Sequence, residues 1–193
     1  MYEKFVERWY YGNKGSFFLA RRLSAAMKLK PLCRAAFIFG NIFPDFNPLS
    51  YLIRCGNNRL GGHNYITRKT LIQSIGPLKH PRSLWAWFAA GEKMHYLADA
   101  FTRPHNHEFE CPSKDHVDYE RQLHQHLLSR FSKGLSRQSP KLPRDFPRWL
   151  PAVHRRYIQS NPGIREDCAY IIHVCQIAAK IMLRPVCSAA GTF

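Results

Sequence analysis

Apolar side chains recur along this chain at intervals of three and four residues, the period of helices that bury one face. Ser16–Met27 (SFFLARRLSAAM) reads as a first amphipathic helix with Arg21 and Arg22 outward. A second apolar segment, Cys33–Phe43, runs into Asn41-Ile42-Phe43-Pro44-Asp45. Leu84–Phe101 is denser, with Trp85, Trp87, Phe88, Met94 and Leu97, and predicts a buried helix ending near Pro104, because the residue before a proline is pushed out of the helical region. Ser113 or Asp115 can cap the next helix, whose apolar positions are Leu123 and Leu127. Asn161-Pro162 predicts the start of a last helix, with Pro at its first position and Ile164, Cys168, Ile171, Cys175, Ala178 and Met182 as its stripe.

The intervening stretches carry turn signals. Asn47–Gly62 holds Pro48, Asn57-Asn58 and Gly61-Gly62 and reads as a loop, followed by His63 and a further short helix. Lys133–Pro151 alternates prolines with Lys and Arg, and Phe146 and Trp149 are interleaved. It is read as an exposed connector, with a loop over the site or against a membrane surface as the alternative. No stretch alternates apolar and polar residues over several strands. The expected fold is all-α, a single compact domain over residues 1–193, long enough to bury a substantial core.

Candidate chemistry concentrates between Gly91 and Glu120. His95 and Asp99 stand four residues apart, as do His116 and Glu120, with His105 and His107 between the pairs. Residues four apart share a helix face, so each pair can close on one metal ion, and imidazole with carboxylate suits zinc. With ten His and thirteen acidic residues in the chain, chance supplies about 0.7 such pairs in this order. Either pair alone is equally a hydrogen-bonded core histidine or an exposed helix pair; the tandem arrangement around a further His favours a site. Gly91, one turn before His95, is expected to leave room beside a metal.

The segments HYLAD, a Pro followed by His105 six residues after Asp99, and HVDYE together resemble the zinc-dependent phospholipase C family. The single-strand-specific nucleases of the same fold share this layout. By that resemblance, Gly40-Asn41-Ile42-Phe43-Pro44-Asp45 fits a G-x-I-x-P-D segment whose Asp reaches the metal site, whereas Asp45 taken alone would be a turn or N-cap residue. His63 matches the family's first-zinc histidine. The resemblance therefore implies a first site of Asp45, His63, His95 and Asp99 and a second of His105, His116 and Glu120, with His107 in reserve for His105. About two zinc ions are expected, sharing a water whose pKa they lower, with Asp45 orienting or deprotonating it. His124, one turn beyond Glu120, is a surface residue or a support beside the site, and His80 is a loop residue without a role. Secreted family members hold a third zinc through a processed N-terminal Trp and an early His. This chain has no His before His63 and its first Trp is Trp9, so a third ion is left open. The resemblance is specific over roughly Gly40–Glu120.

Charge narrows the partner class. Lys and Arg outnumber Asp and Glu by 29 to 13, a net charge of +16, which attracts phospholipid headgroups, nucleic-acid phosphates or other phosphodiesters. The hydrophobic fraction of 45% excludes general disorder. No secretory signal or bilayer-spanning run is read in the sequence, and none of the six cysteines forms CxxC. A cytoplasmic protein with reduced thiols is expected, with peripheral contact to an anionic membrane as an option. The function expected is metal-dependent phosphodiester hydrolysis, phospholipase C-like, cleaving phospholipid headgroups by a zinc-activated hydroxide. The alternatives are a zinc-dependent nuclease of the same fold and a catalytically silent module, its zinc structural, that binds anionic membrane or nucleic acid.

Overall fold

The structure, a computed structural model, describes residues 15–47, 63–109, 113–132 and 140–185. The expected loop Asn47–Gly62, the chain before residue 15 and the cysteines Cys55, Cys111 and Cys187 lie largely or wholly outside them. Among the described residues there are helices and no strands: α1 (15–26), α2 (Pro31–Phe46), α3 (Tyr65–Gln73), α4 (Leu84–Asp99), α5 (Ser113–Ser132), α6 (Phe146–Gln159) and α7 (Ile164–Met182). A 3-10 turn, Arg103–His105, lies between α4 and α5. The all-α expectation holds. No described helix is long and apolar enough to cross a membrane.

Helix α4 is the centre of the packing. It lies against α2, α3 and α7, and α5 packs on α7. Its capping is local: the Ser83 side chain accepts from the Ala86 N–H at 3.3 Å, satisfying one of the donors a helix start leaves open. Its inner face (Trp87, Ala90, Met94, Leu97) is buried together with Phe37 of α2 and Val174, Cys175 and Ala178 of α7. Cys33, Cys168 and Cys175 are free thiols, in keeping with packing rather than cross-linking.

The contact between α2 and α4 is backbone on backbone. A Cβ on Gly40 would stand 2.0 Å from the Phe88 carbonyl oxygen, and one on Gly91 would stand 2.1 Å from that of Phe37. Asn41 Nδ2 donates to the Gly91 carbonyl at 3.1 Å across the same contact. Gly91 thus makes room for a neighbouring helix and not for a metal, which corrects the expectation drawn from its position one turn before His95. A helix-period stripe locates a small residue on a face but does not say what approaches that face.

Two other expectations change. The segment Lys133–Pro151 is not a connector to its end, because α6 begins at Phe146. Asp145 caps it by accepting from the Arg148 N–H at 3.1 Å, and Pro147 sits in the first turn, where no N–H is required. Pro151 lies inside the helix and cannot donate to the Pro147 carbonyl; Gln73 Nε2 of α3 does so instead, at 3.0 Å. Phe146 and Leu150 are buried and Trp149 packs against the core, so these aromatics face the protein interior. The last helix also starts later than Asn161-Pro162 suggests. Asn161 takes φ 47° in the left-handed region, which Asn tolerates, and Gly163 is the N-cap, its N–H donating to Glu166 at 3.0 Å.

Substituting Gly91→Ala should destabilise the protein by about 3 kcal/mol or more, since neither backbone can yield without separating the helices. Gly76→Ala, whose Cβ meets nothing, should stay within about 0.5 kcal/mol of the parent. Urea unfolding of both variants checks the pair; equal midpoints would remove the close crossing as a determinant of stability.

Candidate metal centre

Each candidate residue arrives on an element whose local cause is visible. Asp45 stands in the last turn of α2. His63 precedes Asn64, whose side chain caps α3 by accepting from the Thr67 N–H at 3.0 Å. His95 and Asp99 are one turn apart on α4, with Asp99 its final residue. His105 ends the 3-10 turn, and His116 and Glu120 occupy one face of α5. The carboxyl ends of α2 and α4 reach the same region, and the negative end of each helix dipole there favours a cation.

The seven groups converge. Asp99 Oδ2 lies 2.9 Å from His63 Nδ1, 3.1 Å from His95 Nε2 and 3.8 Å from His105 Nδ1. His63 Nδ1 and His95 Nε2 face each other at 3.2 Å, and Asp45 Oδ1 is 3.6 Å from the latter. Glu120 Oε1 stands 3.1 Å from His105 Nε2 and 2.8 Å from His116 Nε2. Donors on a tetrahedral zinc at ~2.0–2.1 Å are themselves about 3.3 Å apart, so these spacings suit a shared ion. Three overlapping groups could hold metal, with donor atoms within 4.8 Å of one another: Asp45/His63/His95, His63/Asp99/His105 and His105/His116/Glu120. Asp45 Oδ2 and Glu120 Oε2 are buried and, among the described residues, have no hydrogen-bond partner. A buried carboxylate oxygen without a donor is costly, and a cation removes that cost.

Without metal, the cluster's charges oppose one another. Burial lifts Asp45 to about 6, helped by Asp99 and Glu120 and opposed by His95. Burial also drops His63 to about 4. It works against the charged form of His95 as well, but Asp99 and Asp45 overcome it and raise that imidazole to about 9. Burial works to raise Asp99 and Glu120 too; the surrounding imidazoles win, holding Asp99 well below the usual range and Glu120 at about 2. A cavity of about 80 Å³ opens beside the cluster, lined among others by Asp45, His95, Asp99, His105 and Glu120 and closed by Ser16 of α1 and Leu123 of α5. Ser16 Oγ is 3.4 Å from His95 Nδ1.

The remaining histidines separate cleanly. His107 is exposed and pairs with its neighbour Glu108 at 3.1 Å, so the turn selects His105 for the cluster. His124 lines the cavity and meets Phe18 edge-on. His80 is exposed.

Two buried networks hold the turn that presents His105, and neither is apparent in the spacing of the sequence. Asn106 Nδ2 donates to the carbonyls of Ala100 and Thr102, at 3.2 and 2.9 Å, which leaves its Oδ1 to accept from His154 Nε2 at 2.9 Å. His154 is stacked on Tyr65 at 3.7 Å. On the other side, Asp167 of α7 is fully buried. Its Oδ2 accepts from the Arg103 N–H and Tyr119 OH, and its Oδ1 from Tyr157 OH, each at 2.8 Å. One carboxylate therefore ties α5, α6, α7 and the turn together. The only advance signal was an acid beside Glu166 in the first turn of an apolar helix, where both read equally as favourable dipole partners.

The sequence model for zinc-dependent phospholipase C matches residues 17–163, most of the chain. The chain belongs to the zinc-dependent phospholipase C family. That range takes in all seven residues of the cluster, and the family's metal agrees with the donor chemistry found here. Neither a search of curated proteins nor one of solved structures found a match.

His154 supplies a test by pH. Burial lowers its pKa from 6.5 to about 4, so between those values the unfolded chain binds the proton that the folded protein refuses. Stability should then fall as pH drops from 6.5 toward 4, with no contribution above 6.5. The full effect is at most roughly 3 kcal/mol, at ~1.4 kcal/mol per pKa unit. His154→Gln keeps a donor for Asn106 and cannot titrate, so its unfolding free energy should lose this part of the slope; an unchanged slope would clear His154 of the effect.

Proposed function

We propose that this protein is a zinc-dependent phosphodiester hydrolase that cleaves phospholipid headgroups, as a phospholipase C does. The observation that carries the reading is the run of seven buried or half-buried donors, linked through His63 and His105, that includes two buried carboxylate oxygens without a hydrogen-bond partner among the described residues. In this reading Asp45, His63, His95 and Asp99 hold one ion and His105, His116 and Glu120 a second, with Asp99 standing between the two sets. Zinc so held supplies Lewis acidity toward phosphoryl oxygens and lowers the pKa of water.

The chain's own residues do the rest. Asp45 lines the cavity beside His95, so its carboxylate, besides holding metal, is the group to orient the attacking water and take its proton. Asp99, shared by three imidazoles, keeps His63, His95 and His105 in one orientation. The cavity beside them admits the phosphodiester, and the +16 surface draws anions toward it. That charge serves a nucleic acid as well as a lipid, so the nuclease reading is the second one to test.

Elemental analysis of protein purified without chelator should find about two zinc per chain; less than one would overturn the ligand assignment. Turnover of a chromogenic phosphodiester, a phospholipid and a single-stranded oligonucleotide then separates the substrate classes. Asp45→Asn should retain most of the metal and lose about 10²–10⁴-fold in turnover, whereas Glu120→Ala should lose metal and melting temperature together. Parental turnover in Asp45→Asn would remove Asp45 from proton transfer. Bound zinc without turnover on any of the three substrates would favour the silent binding module.

A further inference from the structure

The outer faces of α2 and α4 carry an aromatic patch that the protein interior does not use. Trp85 is 73% exposed, Phe39 55% and Phe46 46%. The rings form a connected set: Trp85 stacks on Phe88 at 5.0 Å, and Phe88 meets Phe39 at 5.7 Å and Phe43 at 5.3 Å. Leu32, 70% exposed, continues the stripe along α2, and Leu84 is exposed beside Trp85. Phe43 and Phe88 are half-buried where α2 meets α4 and serve as the base on which the exposed rings of Trp85 and Phe39 rest. A contiguous exposed apolar patch of this kind marks an interaction surface.

We infer that this face is a docking surface for an anionic lipid bilayer. Exposed Trp and Phe on neighbouring helices suit the interface between headgroups and acyl chains, where an aromatic body is buried and its edge stays wet. The charges agree. Exposed Lys30 and Arg82 stand two residues before Leu32 and Leu84 respectively, placed to meet anionic headgroups while the apolar side chains enter. The acids of these two helices are Asp45 and Asp99, both turned into the cavity, and Glu92. A second copy of the chain is the poorer occupant, since each carries +16 and like charge opposes association. The patch also runs to the last turn of α2, where Phe46 points outward from beside Asp45. The inference deepens the phospholipase reading and rests on it only for the substrate; the docking face stands on its own residues.

The test uses zinc-loaded protein and flotation with vesicles of phosphatidylcholine, with and without phosphatidylserine. Parent protein should float with the phosphatidylserine vesicles, and Trp85→Ala combined with Phe39→Ala should partition on the order of tenfold more weakly. Turnover of a soluble chromogenic phosphodiester should match the parent, because neither side chain lines the cavity. Equal partition of parent and variant overturns the proposal, and binding indifferent to phosphatidylserine overturns the choice of an anionic surface. A concentration-dependent dimer of the parent that the variant loses would assign the patch to a second copy instead. Failure of the parent to turn over the soluble diester counts against the hydrolase reading alone and leaves the flotation result decisive for docking.

Discussion

The close crossing of α2 and α4 is the constraint on which the remaining arrangement depends. Two glycines let carbonyl groups approach where a methyl group would collide, and the Asn41 side chain then closes the gap with a hydrogen bond to the Gly91 carbonyl. At such a distance the two helices cannot rotate or slide independently. The positions five residues beyond Gly40 and four beyond Gly91, Asp45 and His95, are thereby set at a fixed separation. The same packing leaves Phe39 and Trp85 exposed on a base of half-buried Phe88, so the cavity and the aromatic face follow from one packing decision.

Within that frame the candidate metal cluster is an unfavourable assembly held by its surroundings. Three carboxylates and four imidazoles, buried or half-buried, crowd together, and the titrations of Asp45, His95 and Glu120 are driven apart as a result. The proton held by His95 neutralises part of the negative charge, but Asp45 Oδ2 and Glu120 Oε2 have no hydrogen-bond partner among the described residues. A cation resolves both problems together, and for that reason metal binding and folding are expected to be linked in this protein.

The supports lie outside the cluster. His154 and Asn106 brace one side of the 3-10 turn, and Asp167, reaching Arg103, Tyr119 and Tyr157, braces the other. Such fully bonded buried polar networks cost little in stability when every member is satisfied and restrict the backbone to one conformation. They place His105 against Glu120 of a different helix, a contact between residues fifteen apart in the chain.

The sequence by itself determined the helices other than α6 and the two His-to-acid pairs, because helix period and four-residue spacing are local properties that survive in one dimension. Asp45 and His63 were legible only through the resemblance, since a lone Asp after a Pro and a lone His in a loop have commoner explanations. Tertiary structure decided the rest. It chose His105 over His107, a choice that depends on which side of a three-residue turn faces α5. It assigned Gly91 to a helix crossing, placed Phe146 and Trp149 on a helix, and recruited Asp167 and His154 as braces. In each case the deciding neighbour belongs to an element distant in sequence. Periodicity shows which face of a helix is occupied, but only packing shows by what.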